Sequence, residues 1–222
     1  MSPKRNLVLA IEAAVRGGSV ALLENDREIA VWHGTADVSR AEDLLSSISD
    51  MFDRTQTDKN NLVRIAVSNG PGSYTGIRIG LATALGLARA LNIECVGIPL
   101  MPAIAESHDT AVNTIVVIPI GRSEFCWQDF DTGIDSISAK QPTTGSVSEL
   151  IEYFRGQPMH KICSQHDAFE VMAREPAYEE FSDRVCNIGR DLALAIGSAA
   201  IGKRSDLTPH YVRNSQFKSN PL

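Results

Sequence analysis

The chain has 222 residues, enough for one compact domain or two small lobes sharing a hinge, and its 43% hydrophobic and 22% charged content excludes wholesale disorder. A net charge of −6 argues against a protein that grips nucleic-acid phosphates over a broad face, leaving the basic tail (Lys203, Arg204, His210, Arg213, Lys218) as a local candidate. The four cysteines (Cys95, Cys126, Cys163, Cys186) are widely spaced with no CxxC pair, so free thiols in a reducing compartment are expected rather than a disulfide framework.

The basic start, Met-Ser-Pro-Lys-Arg-Asn, precedes a short strand-like run, not a long apolar segment with a small-residue cleavage site, so no signal peptide is expected. The charge-free stretch between Arg78 and Arg89 is too short to cross a bilayer, and the expected location is the cytoplasm.

Three short apolar runs open the chain: Leu7–Ile11, Val20–Leu23 and Ile29–Trp32. They are separated by turn residues at Arg16-Gly17-Gly18 and Asn25-Asp26, which predicts an antiparallel meander. The period then changes. Leu44, Leu45, Ile48, Met51 and Phe52 recur at helical spacing, so a helix is predicted over Arg40–Phe52, opened by a capping box of Ser39 and Glu42. A polar loop (Thr55–Asn61) leads to a strand, Leu62–Val67, and then to the turn Asn69-Gly70-Pro71-Gly72-Ser73-Tyr74-Thr75-Gly76. A second helix follows from Thr75 to Leu91.

Glu94–Val96 and Thr114–Ile118 read as buried strands, with Glu124–Phe130 pairing after a turn. Mixed strands in front and βα units behind predict a three-layer α/β domain. From Asp131 to Arg184 the pattern is less legible: a helix at Ser148–Phe154, a short strand at Lys161–Cys163 and a short helix at Ala168–Arg174. A last helix is predicted over Gly189–Ile201, followed by an extended tail.

Four features carry chemical information. The first is the glycine-rich turn. Glycines before a helix start allow free amides to face an anion, which makes Gly70, Gly72, Ser73 and Thr75 candidates to face a phosphate or nucleotide. A tight strand-to-helix turn without a ligand accounts for the same residues and is favoured. The turn lacks the Gly-Lys-Ser/Thr ending of a P-loop and the Gly-x-Ser-x-Gly of a nucleophile elbow.

The second is the helix Thr75–Leu91, where only Arg78 and Arg89 are charged. Eleven residues apart, close to three turns, both arginines lie on one side. A helix apolar around the rest must be covered around the rest. Gly76, Gly80 and Ala84, four apart, form a smooth strip suited to close approach of another backbone. The predicted partner interface is Gly76, Ile77, Gly80, Leu81, Ala84 and Leu87 on this helix, with Leu44, Leu45 and Ile48 on the preceding one. A central helix covered by its own chain is the competing reading.

The third is the metal-like set His160, Cys163 and His166, whose spacing fits no standard zinc site; coincidence is favoured and no metal is expected. The fourth is Glu12, at the end of the first strand, where an acidic residue in actin-like and sugar-kinase folds approaches the nucleotide's metal. Its neighbours Ala13 and Ala14 supply no hydroxyls, and a solvated strand end is favoured.

The run Ala66–Ala90, with Gly-Pro-Gly-Ser-Tyr-Thr-Gly-Ile-Arg-Ile-Gly-Leu-Ala-Thr-Ala-Leu-Gly-Leu-Ala, strongly resembles the TsaB (YeaZ) family. Looser agreement comes from Leu9-Ala10-Ile11 with Gly18–Leu22, from Glu42–Leu45, from Arg122-Ser123-Glu124 and from Pro209–Arg213. The resemblance implies an actin-like (ASKHA, ribonuclease H-like) α/β fold of two lobes, a mixed sheet with flanking helices. The boundaries expected from it are an N-terminal lobe over 1–105 and a smaller, divergent lobe over 106–222 whose last helix and tail pack back.

It further implies a non-catalytic subunit in threonylcarbamoyladenosine modification of tRNA. Such a subunit pairs with a TsaD-like transferase through the two helices Arg40–Phe52 and Thr75–Leu91, packed as a four-helix bundle. A TsaE-like ATPase joins that pair, and tRNA is engaged indirectly. A third reading, from the residues themselves, is a homodimer through the same helix pair, since a self-complementary apolar surface left alone tends to pair with itself. No cofactor is expected in this chain, with ATP and magnesium confined to the assembled complex. The competing reading is an actin-like ATPase or phosphotransferase using Glu12 and Gly70–Gly76.

The chain departs from the family pattern at Glu12-Ala13-Ala14, which replace Asp-Thr-Ser, at Arg40 and Ala41, which replace His-Ser, and at Ser46, which replaces Pro. The His-x-x-x-His metal pair of the catalytic relative is absent from the sequence.

Overall fold

The computed structural model describes residues 6–35, 40–107, 112–121, 123–132, 137–188, 191–200 and 206–211. Two mixed sheets form the frame. In the first, β1 (Leu7–Glu12), β2 (Ser19–Glu24) and β3 (Arg27–His33) make the antiparallel meander, while β4 (Leu62–Ser68) and β5 (Glu94–Ile98) add in parallel, giving the order β3-β2-β1-β4-β5. The β2–β3 turn has φ of 49° at Asn25 and 66° at Asp26, the left-handed pair that a tight hairpin needs and that Asn and Asp tolerate.

The second sheet is built on β6 (Thr114–Pro119), which pairs antiparallel with β7 (Glu124–Thr132) and parallel with β10 (Lys161–Ser164). It extends through β11 (Val185–Asn187) on one side. On the other, both β8 (Ile137–Ala139) and β9 (Thr143–Ser146) pair with β7.

The period-two pattern of the strands decides which core each side chain joins. On the first sheet, Leu9, Ile11, Leu22, Ile65 and Val67 face α1 (Arg40–Thr55) and α2 (Tyr74–Leu91). Their neighbours Ala10, Ala21, Leu23 and Ala66 point the other way. They meet α3 (Leu100–Ser107), α6 (Leu192–Ala199) and the Val116, Ile118, Cys126 and Phe130 side of the second sheet. The far face of that sheet, with Ile115, Val117, Phe125 and Trp127, is covered by α4 (Val147–Arg155) and α5 (His166–Met172).

The predicted strands and the helices around Arg40–Phe52, Thr75–Leu91 and Ser148–Phe154 are present within a few residues of their expected bounds. The last helix is shorter than predicted, and the helix expected at Ala168–Arg174 starts earlier, at His166. Helix α3 was not predicted. Pro102 sits in its first turn, where the missing amide has no helical acceptor in any case. Ser39 of the proposed capping box lies outside the described residues, as do Arg122 and Arg213.

Helix α6 returns to the first sheet. Ala193 N–H donates to Ser19 Oγ at 3.0 Å, and Gly197 lies against Leu23. Arg64 ties the β4–β5 edge to this region, its Nε and Nη2 donating to Glu94 and its Nη1 to the Ala200 carbonyl at 2.6 Å. Among the described residues, no helix is long and apolar enough to cross a membrane.

Candidate partner-docking face

Helix α2 starts at Ser73, whose Oγ accepts the Gly76 amide at 3.3 Å, and ends at Asn92 in the left-handed conformation. Between these caps it has two apolar sides with different fates. Gly76, Ile77, Gly80, Leu81, Ala84 and Ala88 are buried in the chain's own core. The strip Gly76–Gly80–Ala84 therefore does not wait for a partner. A Cβ on Gly80 would lie 3.2 Å from the Ala13 Cβ and 3.6 Å from Val67, and one on Gly76 would run into the Ala13 carbonyl. Small residues four apart do permit a close backbone approach, as predicted, but the approaching backbone is the chain's own turn after β1.

The same correction applies on α1. Leu44 and Ile48 are buried against the first sheet, whereas Leu45 is 55% exposed. Of the nine residues predicted at an interface, Leu45 and Leu87 keep surface; the other seven are core.

The outward side of α2 holds Ala82, Leu85, Gly86 and Ala90, all exposed, with Leu85 at 44%. The sequence did carry this signal: Arg78 and Arg89 mark the side that faces solvent, and these residues lie between and beside them at helical spacing. Gly86 has nothing within 4 Å of where a Cβ would sit. Between α1 and α2 runs a groove of about 470 Å³, walled by Leu45, Ile48, Phe52, Leu87, Ala90 and Leu91. Asp53, Asp58 and Lys59 give it a charged end. An apolar groove edged by the exposed Leu45 is suited to receive another helix.

The glycine turn is engaged from within. Gly70 has φ +105° and Gly72 φ +153°, conformations closed to most side chains. A Cβ on Gly72 would meet the Ala14 carbonyl oxygen at 2.5 Å. Ser73 N–H donates to that same oxygen at 2.7 Å, the Gly70 carbonyl accepts from Leu100, and the Asn69 carbonyl accepts from His210. Thr75 is exposed at the helix start.

Glu12 is not solvated, contrary to expectation: it is 1% exposed. Its Oε1 accepts the Ala14 amide at 2.6 Å and the Val15 amide at 2.9 Å. The Ala14 and Val15 amides, which could otherwise face a phosphate at this turn, are thus taken by a carboxyl group of the same chain.

The metal-like set is not assembled. His160 Nε2 lies 3.4 Å from Asp131, Cys163 is buried in the core between the sheets, and the His166 side chain lies outside the described residues. Among the described residues, no cluster of three or more His, Cys, Asp or Glu could hold a metal ion.

A family model described as "TsaD: tRNA N6-adenosine threonylcarbamoyltransferase" matches residues 35–219, most of the chain. The chain belongs to this family. Its named relatives are TsaB proteins, in keeping with the resemblance carried by Ala66–Ala90. The tRNA threonylcarbamoyladenosine biosynthesis protein TsaB of Escherichia coli is 24% identical over 155 residues, spanning 68% of this chain and 67% of that protein. The protein of the same name from Haemophilus influenzae is 24% identical over 199 residues, 84% of this chain and 80% of its own length.

Among solved structures, YeaZ from Pseudomonas aeruginosa superposes with a TM-score of 0.63 at 17% identity, covering 93% of this chain and all of that one. A second structure from that organism, described as similar to the peptidase YeaZ, gives 0.65 at 18% identity. The fold is that of the YeaZ proteins, a two-sheet α/β architecture with flanking helices.

Proposed function

We propose that this TsaB-family chain is a non-catalytic docking subunit in the formation of threonylcarbamoyladenosine on tRNA, working in the cytoplasm by pairing with a TsaD-type transferase. The observation that carries this reading is the apolar groove between α1 and α2, edged by exposed Leu45, together with the exposed outward side of α2 at Leu85 and Gly86. The biosynthetic role named for the E. coli and H. influenzae relatives supports the pathway. A helix pair from the partner laid on this face would bury the leucines and complete a four-helix bundle.

No catalytic residue is assigned to this chain. The buried Glu12 and the internally bonded Gly70–Gly76 turn disfavour the competing ATPase or phosphotransferase reading. ATP, magnesium and a TsaE-type ATPase belong to the assembled complex, and the same face would support a homodimer when the transferase is absent.

Light-scattering chromatography of this protein, alone and mixed with the TsaD-type protein of the same organism, tests the proposal. A new 1:1 species that is lost in Leu45→Glu and Leu85→Glu, while both variants keep the wild-type circular dichroism, is the expected result. Separate peaks with the wild-type pair, or unchanged pairing by both variants, would overturn it. Tight magnesium-dependent ATP binding by the isolated chain would restore the nucleotide reading.

A further inference from the structure

Beside the glycine turn, and away from the α1–α2 groove, three side chains stack in sequence. The Arg78 guanidinium lies over the Tyr74 ring, 5.2 Å from its centroid, with Nη1 donating to the Tyr74 hydroxyl at 3.1 Å. The Tyr74 ring packs on Tyr211 with centroids 4.8 Å apart at 42°. Both tyrosines remain open to solvent, at 56% and 45%.

Tyr211 and His210 also line a cavity of about 650 Å³. Four of its walls are prolines: Pro71, Pro99, Pro102 and Pro142. Gln128 contributes a side-chain amide, its Nε2 donating to the Lys140 carbonyl. The tail that carries His210 and Tyr211 is held in place by Asn69, which accepts the His210 amide at 2.7 Å and donates Nδ2 to the Thr208 carbonyl at 3.0 Å.

The chemistry of this cleft is specific. Proline rings are rigid and offer no amide, so the walls are flat, apolar and already in place, which lowers the ordering cost of a ligand. The aromatic ring at its edge continues into a tyrosine and a guanidinium, the sequence of layers on which an unpaired base extends a stack. An amide and an imidazole give a few polar contacts for the rim of a heteroaromatic ring. A long aliphatic ligand would use the walls but not the stack, and a compact anion would use neither.

We infer that the cleft at Tyr211, extended by Tyr74 and Arg78, binds an unstacked base of single-stranded RNA. The inference takes its ligand class, RNA, from the proposed role in tRNA modification. The site reads the face of a base, so it favours unpaired loops over duplex, whose bases are closed to stacking. The acidic net charge makes the contact local, with the Arg78 cation in the stack, not a broad phosphate-binding surface.

The experiment is fluorescence anisotropy of a labelled stem–loop RNA with an unpaired loop, titrated with the full chain alone at low salt. Binding that an unlabelled duplex of equal length fails to compete is expected. Tyr211→Ala and Arg78→Ala should each weaken it, Tyr211→Ala by roughly tenfold, the scale of one lost base–aromatic stack. Tyr211→Phe, which keeps the ring, should bind as the wild type does.

No binding by the wild-type chain, equal competition by duplex, or an unchanged affinity in Tyr211→Ala would overturn the inference. So would a Tyr211→Ala variant that binds RNA normally but no longer forms the 1:1 species with the transferase, which would make the stack a protein contact. Because the titration contains no transferase, loss of the docking reading and loss of the base-binding site are seen separately.

Discussion

The Ser73 amide donates to the Ala14 carbonyl at 2.7 Å, so the turn before α2 and the turn after β1 are held backbone to backbone. The contact explains both glycines that flank it. Gly72 and Gly76 each lie where a side chain would strike the Ala13-Ala14 backbone, and the two turns close on each other only because neither has one.

Gly76→Val should therefore destabilise the whole chain. The obstacle is a carbonyl in a strand-anchored turn rather than the end of a flexible side chain, so relief requires α2 to lift off the sheet. A cost of about 3 kcal/mol is expected. In a chain of this size that corresponds to a melting temperature lower by ~6–12 °C, read by thermal denaturation.

Two glycines on the same helix should behave in opposite ways. Gly80 packs on Ala13 and Val67, so Gly80→Arg is expected to give insoluble or unfolded protein. Gly86 faces open space, so Gly86→Arg should fold and gain about 0.5–1 kcal/mol from the better helix former, yet lose pairing with the transferase. Urea denaturation and chromatography of the two variants measure this. A folded, pairing-deficient Gly80→Arg would return the docking surface to the side of the helix assigned here to the core.

Stability should fall on the alkaline side. Burial pushes the Cys95 thiol up to about 11, with the charge of Glu94 adding, and pushes Cys126 to about 12. Cys163 also rises to about 12, through burial first and then its neighbour Cys186. A group whose folded pKa is raised contributes stability that is complete below its unfolded pKa and is lost as pH rises toward the folded value. For these thiols the loss begins near their ordinary value of 9.0.

Lys140, raised chiefly by its hydrogen bond to Asp129, adds to the loss above its ordinary 10.5. Tyr153, raised by burial and then by its hydrogen bond to Asp129, does so above 10.0. Urea midpoints measured from pH 7 to 11 should be flat to about pH 8.5 and then decline. Replacing Cys95, Cys126 and Cys163 by alanine should lower stability at neutral pH and flatten the decline; a midpoint that rises above pH 9 would contradict the assignment.

Thiol reactivity should distinguish the cysteines without any mutation. Cys186 is half-buried, whereas Cys95, Cys126 and Cys163 are buried. With an aromatic disulfide reagent under native conditions, Cys186 should react first, and the other three only when denaturant is added. Mass mapping of the modified peptides identifies the site.

The strands of the first sheet were legible because each alternates or runs apolar between turn residues with a fixed conformational role, Asn25-Asp26 being the clearest. Helix α2 was legible for the same kind of reason, and its two arginines mark the solvent side, but what covers its small-residue strip was not. Gly76, Gly80 and Ala84 encode a close approach without encoding whose backbone approaches, and only the path of Ala13-Ala14 decides it.

Glu12 was misread because the donors that its carboxyl group accepts from, the amides two and three residues on, are invisible to side-chain pattern. The stretch after Asp131 resisted reading because β8, β9 and β11 have three or four residues each, too few to establish a period. The base-binding cleft drew on Gly70, Pro99, Gln128, Pro142 and Tyr211, which no local window brings together.

The return of α6 to the first sheet has a consequence for synthesis. Ser19 waits 174 residues for its bond to Ala193, and Asn69 waits 139 for Thr208. Until the last helix emerges from the ribosome, the Ala10, Ala21 and Leu23 face of the meander lacks its cover. Contacts of such sequence separation are slow to close. That face should therefore stay open until α6 has been made, and the first sheet should complete its packing only then.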